Sequence, residues 1–262
     1  MAELLIRNSS VGYIKGIIFD KDGTISNSEE SLVELAKTRV DFIEDKFKKL
    51  EINNFKIWLL RKLLFSVYGL RKNYICPNSS LAIASREQNI ISTATVINLF
   101  GFDWFKSLSI SQEIFNEVDI FLSNQKDNTQ KPRTLIPGAL DLLSALKNKG
   151  VYIALMTNDT KSGIDEFICR NRLEDIFDFH WSAESKPAKP NPAAVIELCK
   201  KMNICPSDCA LISDADTDLK MAKEADIPIV IGFTGGWETP PTLNEQRFLV
   251  EKLNELKIHS NP

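Results

Sequence analysis

Short apolar runs alternate with longer amphipathic stretches along this chain. Gly16-Ile-Ile-Phe-Asp20 is an apolar run that stops abruptly in Asp20-Lys-Asp-Gly-Thr24. Val151-Tyr-Ile-Ala-Leu-Met156 repeats the pattern before Thr157-Asn-Asp-Thr160, and Cys209-Ala-Leu-Ile-Ser213 repeats it before Asp214-Ala-Asp-Thr-Asp218. Residues 227–231 form a fourth such run and 177–181 a fifth. Runs of this length, bounded by polar turn residues, read as buried strands. Between them, residues 139–149, 160–170, 192–202 and 217–225 place apolar side chains at helical spacing, as Leu140, Leu143 and Leu146 do. A terminal helix is expected over 243–256, and 1–10 as a short tail before the first strand, without the basic start and apolar stretch of a signal peptide. Strands alternating with helices imply βαβ units around a buried parallel sheet.

Residues 26–133 break this rhythm. Residues 29–50 read as one long helix, with Leu32, Leu35, Ala36, Val40, Ile43 and Phe47 on its apolar face. Residues 55–68, 81–98 and 111–125 read as three more helices, and the polar stretch 124–133 as a return linker. The second helical segment and its continuation carry Lys56, Arg61, Lys62, Arg71 and Lys72 beside Phe55, Trp58, Phe65 and Tyr68. An amphipathic helix that packs its aromatics and leaves its basic residues solvated accounts for this; a surface for anions is the alternative.

Composition narrows the function. The chain has 262 residues, 44% hydrophobic and 26% charged, enough for a sizeable core without disulfides or structural metal. A net charge of -3 argues against bulk binding to nucleic acid or to a membrane surface. No apolar run approaches the roughly 20 residues of a membrane span. Five scattered cysteines (Cys76, Cys169, Cys199, Cys205 and Cys209) form no CxxC and no zinc set, which fits free thiols in a reducing cytosol and a cytoplasmic location. With only His180 and His259 present, carboxylates are the expected chemical actors.

In open parallel sheets, ligands bind beyond the carboxyl ends of the strands. Asp20, Asp22, Thr157, Asp214 and Asp218 would converge there, and carboxylates so gathered repel one another unless a cation joins them. An oxygen-only donor set at a phosphate site suits Mg²⁺. An Asp at a strand end can attack phosphorus, and a carboxylate two residues on can serve the leaving oxygen and then water. A solvated Asp-Gly turn is the plain alternative. Thr157 is suited either to a phosphoryl oxygen at a helix start or to a simple helix cap. Lys189, with Lys186 as competitor, lies in a proline-rich loop and can neutralise charge developing on a phosphoryl group. Asp214 and Asp218, four apart, would share a helical face, with Asp216 directed elsewhere. An EF-hand is excluded because its glycine and final Glu are missing.

Phe19-Asp-Lys-Asp-Gly-Thr24, Thr157, Lys189 in Lys-Pro-Asn-Pro192, and Asp214-Ala-Asp-Thr-Asp218 together resemble the four motifs of the haloacid dehalogenase superfamily. The phosphoglycolate-phosphatase-like hydrolases are the most similar subgroup. The resemblance implies an α/β fold: a Rossmann-like parallel-sheet core (1–25 and 134–262) with an inserted all-helical cap domain (26–133), hinged near 26–28 and 131–134. It implies Asp20 as nucleophile and Asp22 as general acid/base. Thr157, Asn158 and Lys189 would bind the phosphoryl group. Asp20, Asp22 (through its backbone carbonyl), Asp214 and Asp218 would hold Mg²⁺ or its waters. The implied reaction is hydrolysis of a small phosphorylated metabolite through an aspartyl phosphate. A phosphomutase, or a non-catalytic binding protein on this fold, is the alternative. A response-regulator receiver is excluded by the long insert. One position departs from the pattern: Ser213 stands where the family usually has glycine, and altered loop geometry is the expected effect.

Overall fold

The computed structural model describes residues 1–126 and 135–260. They fall into two compact units, one built from Met1–Ser28 and the residues from 135 onward, the other from Glu29 to the end of the last helix of the insert.

The first unit opens with β1 (Ala2–Ile6), β2 (Ser9–Ile14) and β3 (Gly16–Phe19). After the insert it continues through α6 (Ala139–Asn148), β6 (Tyr152–Met156), α7 (Lys161–Asn171), β7 (Phe179–Trp181), α8 (Pro192–Lys201), β8 (Cys209–Ser213), α9 (Asp216–Glu224), β9 (Ile229–Phe233), β10 (Phe248–Val250) and β11 (Leu256–Ser260). Six strands form one sheet in the order β10-β9-β8-β3-β6-β7, every pair parallel. Numbered along the sheet-forming chain, this is the 3-2-1-4-5-6 order of dinucleotide-binding folds, with the topological switch beside β3. Side chains alternate across the sheet, as the strand pleat requires. Ile17 and Phe19 of β3, with Ile153 and Leu155 of β6, join α6 and α7 in one core. Ile18, Ala154 and Met156 face α8 and α9 in the other.

Two expectations at the chain ends are corrected. Residues 1–10 are not a tail: β1 pairs antiparallel with both β2 and β11 in a second, three-stranded sheet. Arg7 and Asn8 turn the hairpin with positive φ values of 51° and 66°. No glycine marks that two-residue turn, so its usual sequence signal is missing. Nor is 243–256 an α-helix. Within it lie β10 and a 3-10 turn at Leu253–Glu255, and β11 begins at its end. The deciding pattern there has period two: Leu256 and Ile258 are buried while Lys257 and His259, alternating with them, are exposed.

The second unit contains α1 (Glu29–Lys49), α2 (Asn54–Tyr68), β4 (Leu70–Arg71), β5 (Tyr74–Ile75), α3 (Ser80–Ile83), α4 (Arg86–Asn98) and α5 (Trp104–Lys126). Val40, Ile43 and Phe47 of α1, Leu64 of α2, Ile97 of α4 and Phe115 of α5 are buried in it. It is not wholly helical, because β4 and β5 pair as a small hairpin. The single helix expected over 81–98 breaks at Ser85, whose side chain and that of Gln88 exchange hydrogen bonds with each other's backbone N–H. That reciprocal cap starts a new helix. The helix expected from 111 begins earlier, at Trp104. Most of the return linker, and the hinge expected at 131–134, lie outside the described residues. Among the described residues no helix is long and apolar enough to cross a membrane.

Leu4, Ile14 and Ile258 of the three-stranded sheet share one apolar core with β3 and β6. Leu4→Ala is therefore expected to lower unfolding free energy by about 2–5 kcal/mol, the usual range for a buried leucine. A urea titration that shows no destabilisation would mean the terminal sheet is not part of that core.

Candidate active site

Each chemical group stands one step beyond a strand or at the start of a helix. Asp20 follows β3, Thr157 follows β6 and Asp214 follows β8. Asp218 lies in the first turn of α9, and Lys189 in the loop between β7 and α8. Parallel register puts these strand ends on one rim, and the Asp20 N–H is fixed there by the Ile212 carbonyl at 3.0 Å.

The Lys189 ammonium joins two of the acids. It donates to Asp20 Oδ1 at 2.7 Å and to Asp218 Oδ2 at 2.6 Å, with only 4% of its side chain exposed. Lys186, the competing lysine, forms no ion pair among the described residues. Burial by itself would lower the Lys189 pKa, but Asp20 and Asp218 outweigh it and hold the ammonium charged. Burial pushes the Asp20 carboxyl well above its ordinary range; Lys189 opposes this, while Asp218 and Asp214 add to it. Asp214 is pushed up to about 6, again by burial first, against hydrogen bonds from Trp237 and Thr24.

Asp214 and Asp218 do converge, though not by sharing a helical face. Asp214 precedes the helix, and only Asp218 is in it. Asp214 Oδ1 accepts from Thr24 Oγ1 at 2.8 Å, and Oδ2 from Trp237 Nε1 at 2.6 Å. Asp216 turns away as expected and accepts the backbone N–H groups of Asn244 and Glu245 at 2.7 and 3.0 Å. Ser213 does more than fit a small space. Its hydroxyl donates to Asp218 Oδ2 at 2.9 Å and accepts the Ala215 N–H at 3.1 Å, tying the loop to the helix start.

Asp22 lies to the side of this pair. Its carboxylate accepts from the Ser28 hydroxyl and pairs with Lys21 Nζ at 3.1 Å. Thr157 is buried and is not the helix cap; Thr160 caps α7 by accepting from the Gly163 N–H. The Thr157 hydroxyl accepts the Asp159 N–H at 3.1 Å, with Asn158 in the turn between them.

Three groups at the site carry no local sequence signal. Lys21 is 1% exposed and its ammonium bridges Asp22 and Asp159. Trp237 arrives from the segment after β9. Gly236 packs on the backbone of Gly23, and a Cβ on it would overlap the Gly23 carbonyl oxygen. Gly23 itself has φ +78°, and a Cβ there would strike Trp237 and Asp214. The glycine of the Asp-Lys-Asp-Gly turn is thus required both by conformation and by space.

The donor set is tested against a divalent cation by its charge. Asp20 and Asp218 share one ammonium, and Asp214 lies close enough to act on Asp20 electrostatically, all largely buried. Two negative charges lack a protein counterion in this group, so protonation or a divalent cation must relieve them. Among the described residues no three acid, His or Cys side chains form a tight cage. Mg²⁺ needs none, since it keeps several waters and takes one or two carboxylates. The hard oxygen donors fit it.

Comparison with known proteins places the chain in a family. The family described as haloacid dehalogenase-like hydrolase matches residues 14–226, and the chain belongs to that family. A phosphoglycolate phosphatase of Nitrosococcus oceani is 27% identical over 145 residues, which cover 55% of this chain and 61% of that protein. That match thus spans less than two thirds of the relative's length. A phosphoglycolate phosphatase of Vibrio vulnificus strain YJ016 is also 27% identical, over 60% of this chain and 72% of its own. A crystal structure described as a predicted phosphoglycolate phosphatase from Haemophilus somnus 129pt superposes with TM-score 0.63 at 19% identity, covering 93% of this chain and 96% of that one. A β-phosphoglucomutase from Clostridium difficile superposes with TM-score 0.60 at 20% identity, covering 92% of each. At these identities the two structures establish the α/β fold.

Trp237→Phe keeps the aromatic bulk and removes the indole N–H from a buried carboxylate. At neutral pH it is expected to cost about 1–3 kcal/mol, the scale of a lost hydrogen bond to a charged group. Unchanged urea stability would show that the indole does not support Asp214.

Proposed function

We propose that the protein is a phosphomonoester hydrolase for a small phosphorylated metabolite, with Asp20 as its nucleophile. The observation that carries this reading is the ammonium of Lys189 held between Asp20 and Asp218 at the carboxyl end of the central strand. A lysine placed there opposes the burial that favours the neutral Asp20 carboxyl, and offsets charge that develops on the phosphoryl oxygens. The phosphatase relatives support the same choice of chemistry.

In this reading Asp20 Oδ attacks phosphorus while the ester oxygen leaves. Asp22, entering the step as the carboxylic acid, gives that oxygen its proton, and the Ser28 hydroxyl and Lys21 position its carboxyl group. Asp22 then takes a proton from water, which attacks the aspartyl phosphate, releases inorganic phosphate and restores Asp20. Thr157, Asn158 and Lys189 bind the phosphoryl oxygens. Asp20, Asp214 and Asp218, with the Asp22 carbonyl, would hold Mg²⁺. When bound, the ion supplies the positive charge that the carboxylates lack and draws charge from the transferring group. The insert serves as a cap domain that sets which leaving group is accepted.

Release of inorganic phosphate from an aryl phosphate and a panel of sugar and carboxylic-acid phosphates tests this. Turnover is expected with Mg²⁺, is abolished by chelator, and falls at least about a thousandfold in Asp20→Asn, as for loss of a nucleophile. Turnover that persists in that variant, or no turnover across the panel by folded protein, would overturn the reading.

A further inference from the structure

The helical insert holds a groove of about 410 Å³ between α1, α2 and the β4–β5 hairpin. Its walls are strongly basic for a chain whose net charge is -3. Lys37 comes from α1, Arg61 and Lys62 from α2, and Arg71 and Lys72 from the hairpin. Asp41 is the one carboxylate among the lining residues, and it is already matched: Arg61 donates to it at 2.6 Å and to Glu44 at 2.8 Å. Lys62, Arg71 and Lys72 form no ion pair with any described residue, and Lys37 reaches only the neutral Asn73 Oδ1, at 3.1 Å. Four cations thus face one concavity without an anion to balance them.

Lys72 sits in the hairpin turn with φ +49°, the left-handed region where glycine, asparagine or aspartate costs less. A lysine there brings charge to the groove at a conformational cost. The lining also carries apolar surface, with Leu70 buried and the Phe65 ring 4.8 Å from the Arg61 guanidinium. Apolar surface there lowers the local dielectric and strengthens attraction for an anion. The volume falls in the usual range for small-molecule sites, about 300–1,000 Å³. A nucleic acid would call for an extended basic stripe.

We propose that this groove binds a small polyanion, a molecule bearing two or more phosphoryl or carboxylate groups, which Lys62, Arg71, Lys72 and Lys37 would hold. The site lies wholly within the insert and does not depend on the reaction assigned to Asp20.

Calorimetric titration of the full chain with inorganic tripolyphosphate, without added metal, tests it. Wild-type protein is expected to give saturable binding that weakens with salt. Lys62→Glu/Arg71→Glu should weaken it at least about tenfold, as reversal of charges facing an anion does. Both residues are exposed, so the melting temperature should stay near that of the wild type. A control pair on the other unit, Lys220→Glu/Lys257→Glu, should leave the affinity unchanged. No saturable binding, equal affinity in the groove variant, or an equal loss in the control pair would overturn the proposal. Phosphate release by the same variants, measured separately, keeps this outcome distinct from the fate of the phosphatase reading.

Discussion

Two carboxylates share one ammonium at the carboxyl edge of the parallel sheet, a third is buried near them, and the balance of their charges constrains everything around them. Lys189 holds Asp20 and Asp218 together from a side chain that is 4% exposed. Asp214, next to them, is held by Thr24 and Trp237 instead. Burial raises the Asp20 and Asp214 pKa values, and the neighbouring carboxylates add to the effect. Structural packing alone gains nothing from such an arrangement, since buried charges cost more than apolar residues of the same size. A divalent cation held by these carboxylates would offset the excess, which is what the proposed reaction calls for.

The fold supplies the means to hold that imbalance. The strand order places its topological switch beside β3, so crossovers leave the central strand in opposite directions and open a crevice at its end. Backbone bonds then close the loop after β3. The Lys21 carbonyl accepts from Thr24, Ile25 and Ser26, and the Ile25 carbonyl accepts from Ile136 where the chain returns. Gly23 and Gly236 let the two loops touch at backbone distance, which brings Trp237 onto Asp214. Lys21, sunk beneath this loop, ties Asp22 to Asp159 after β6. Asp20, Asp22 and the loop after β6 are thereby referred to one frame.

Much of this was legible in the chain because it is written locally. β3, β6 and β8 are apolar runs followed at once by polar residues, and Asp20, Thr157 and Asp214 are those residues. The long helices show their apolar faces at regular spacing. What escaped has partners far away in sequence. Nothing near Lys21 says that it is buried, since Asp159 lies 138 positions on. Trp237 finds its role only when Gly236 meets Gly23. The terminal strands were misread because period-two patterns of three to five residues are too short to stand against a helical reading, and because the Arg7-Asn8 turn lacks a glycine. Ser213 was expected merely to bend its loop, yet its hydroxyl is a hydrogen-bond partner of Asp218.

The central claim is that Asp20 takes the phosphoryl group. It is tested most directly by mixing the protein with an aryl phosphate or acetyl phosphate and Mg²⁺, quenching in acid within the first turnover, and mapping the phosphoryl adduct by peptide mass spectrometry. The account predicts the adduct on the peptide that carries Asp20, and none in Asp20→Asn. An adduct on Asp22, Thr157 or another residue, or turnover with no adduct at Asp20, would contradict it.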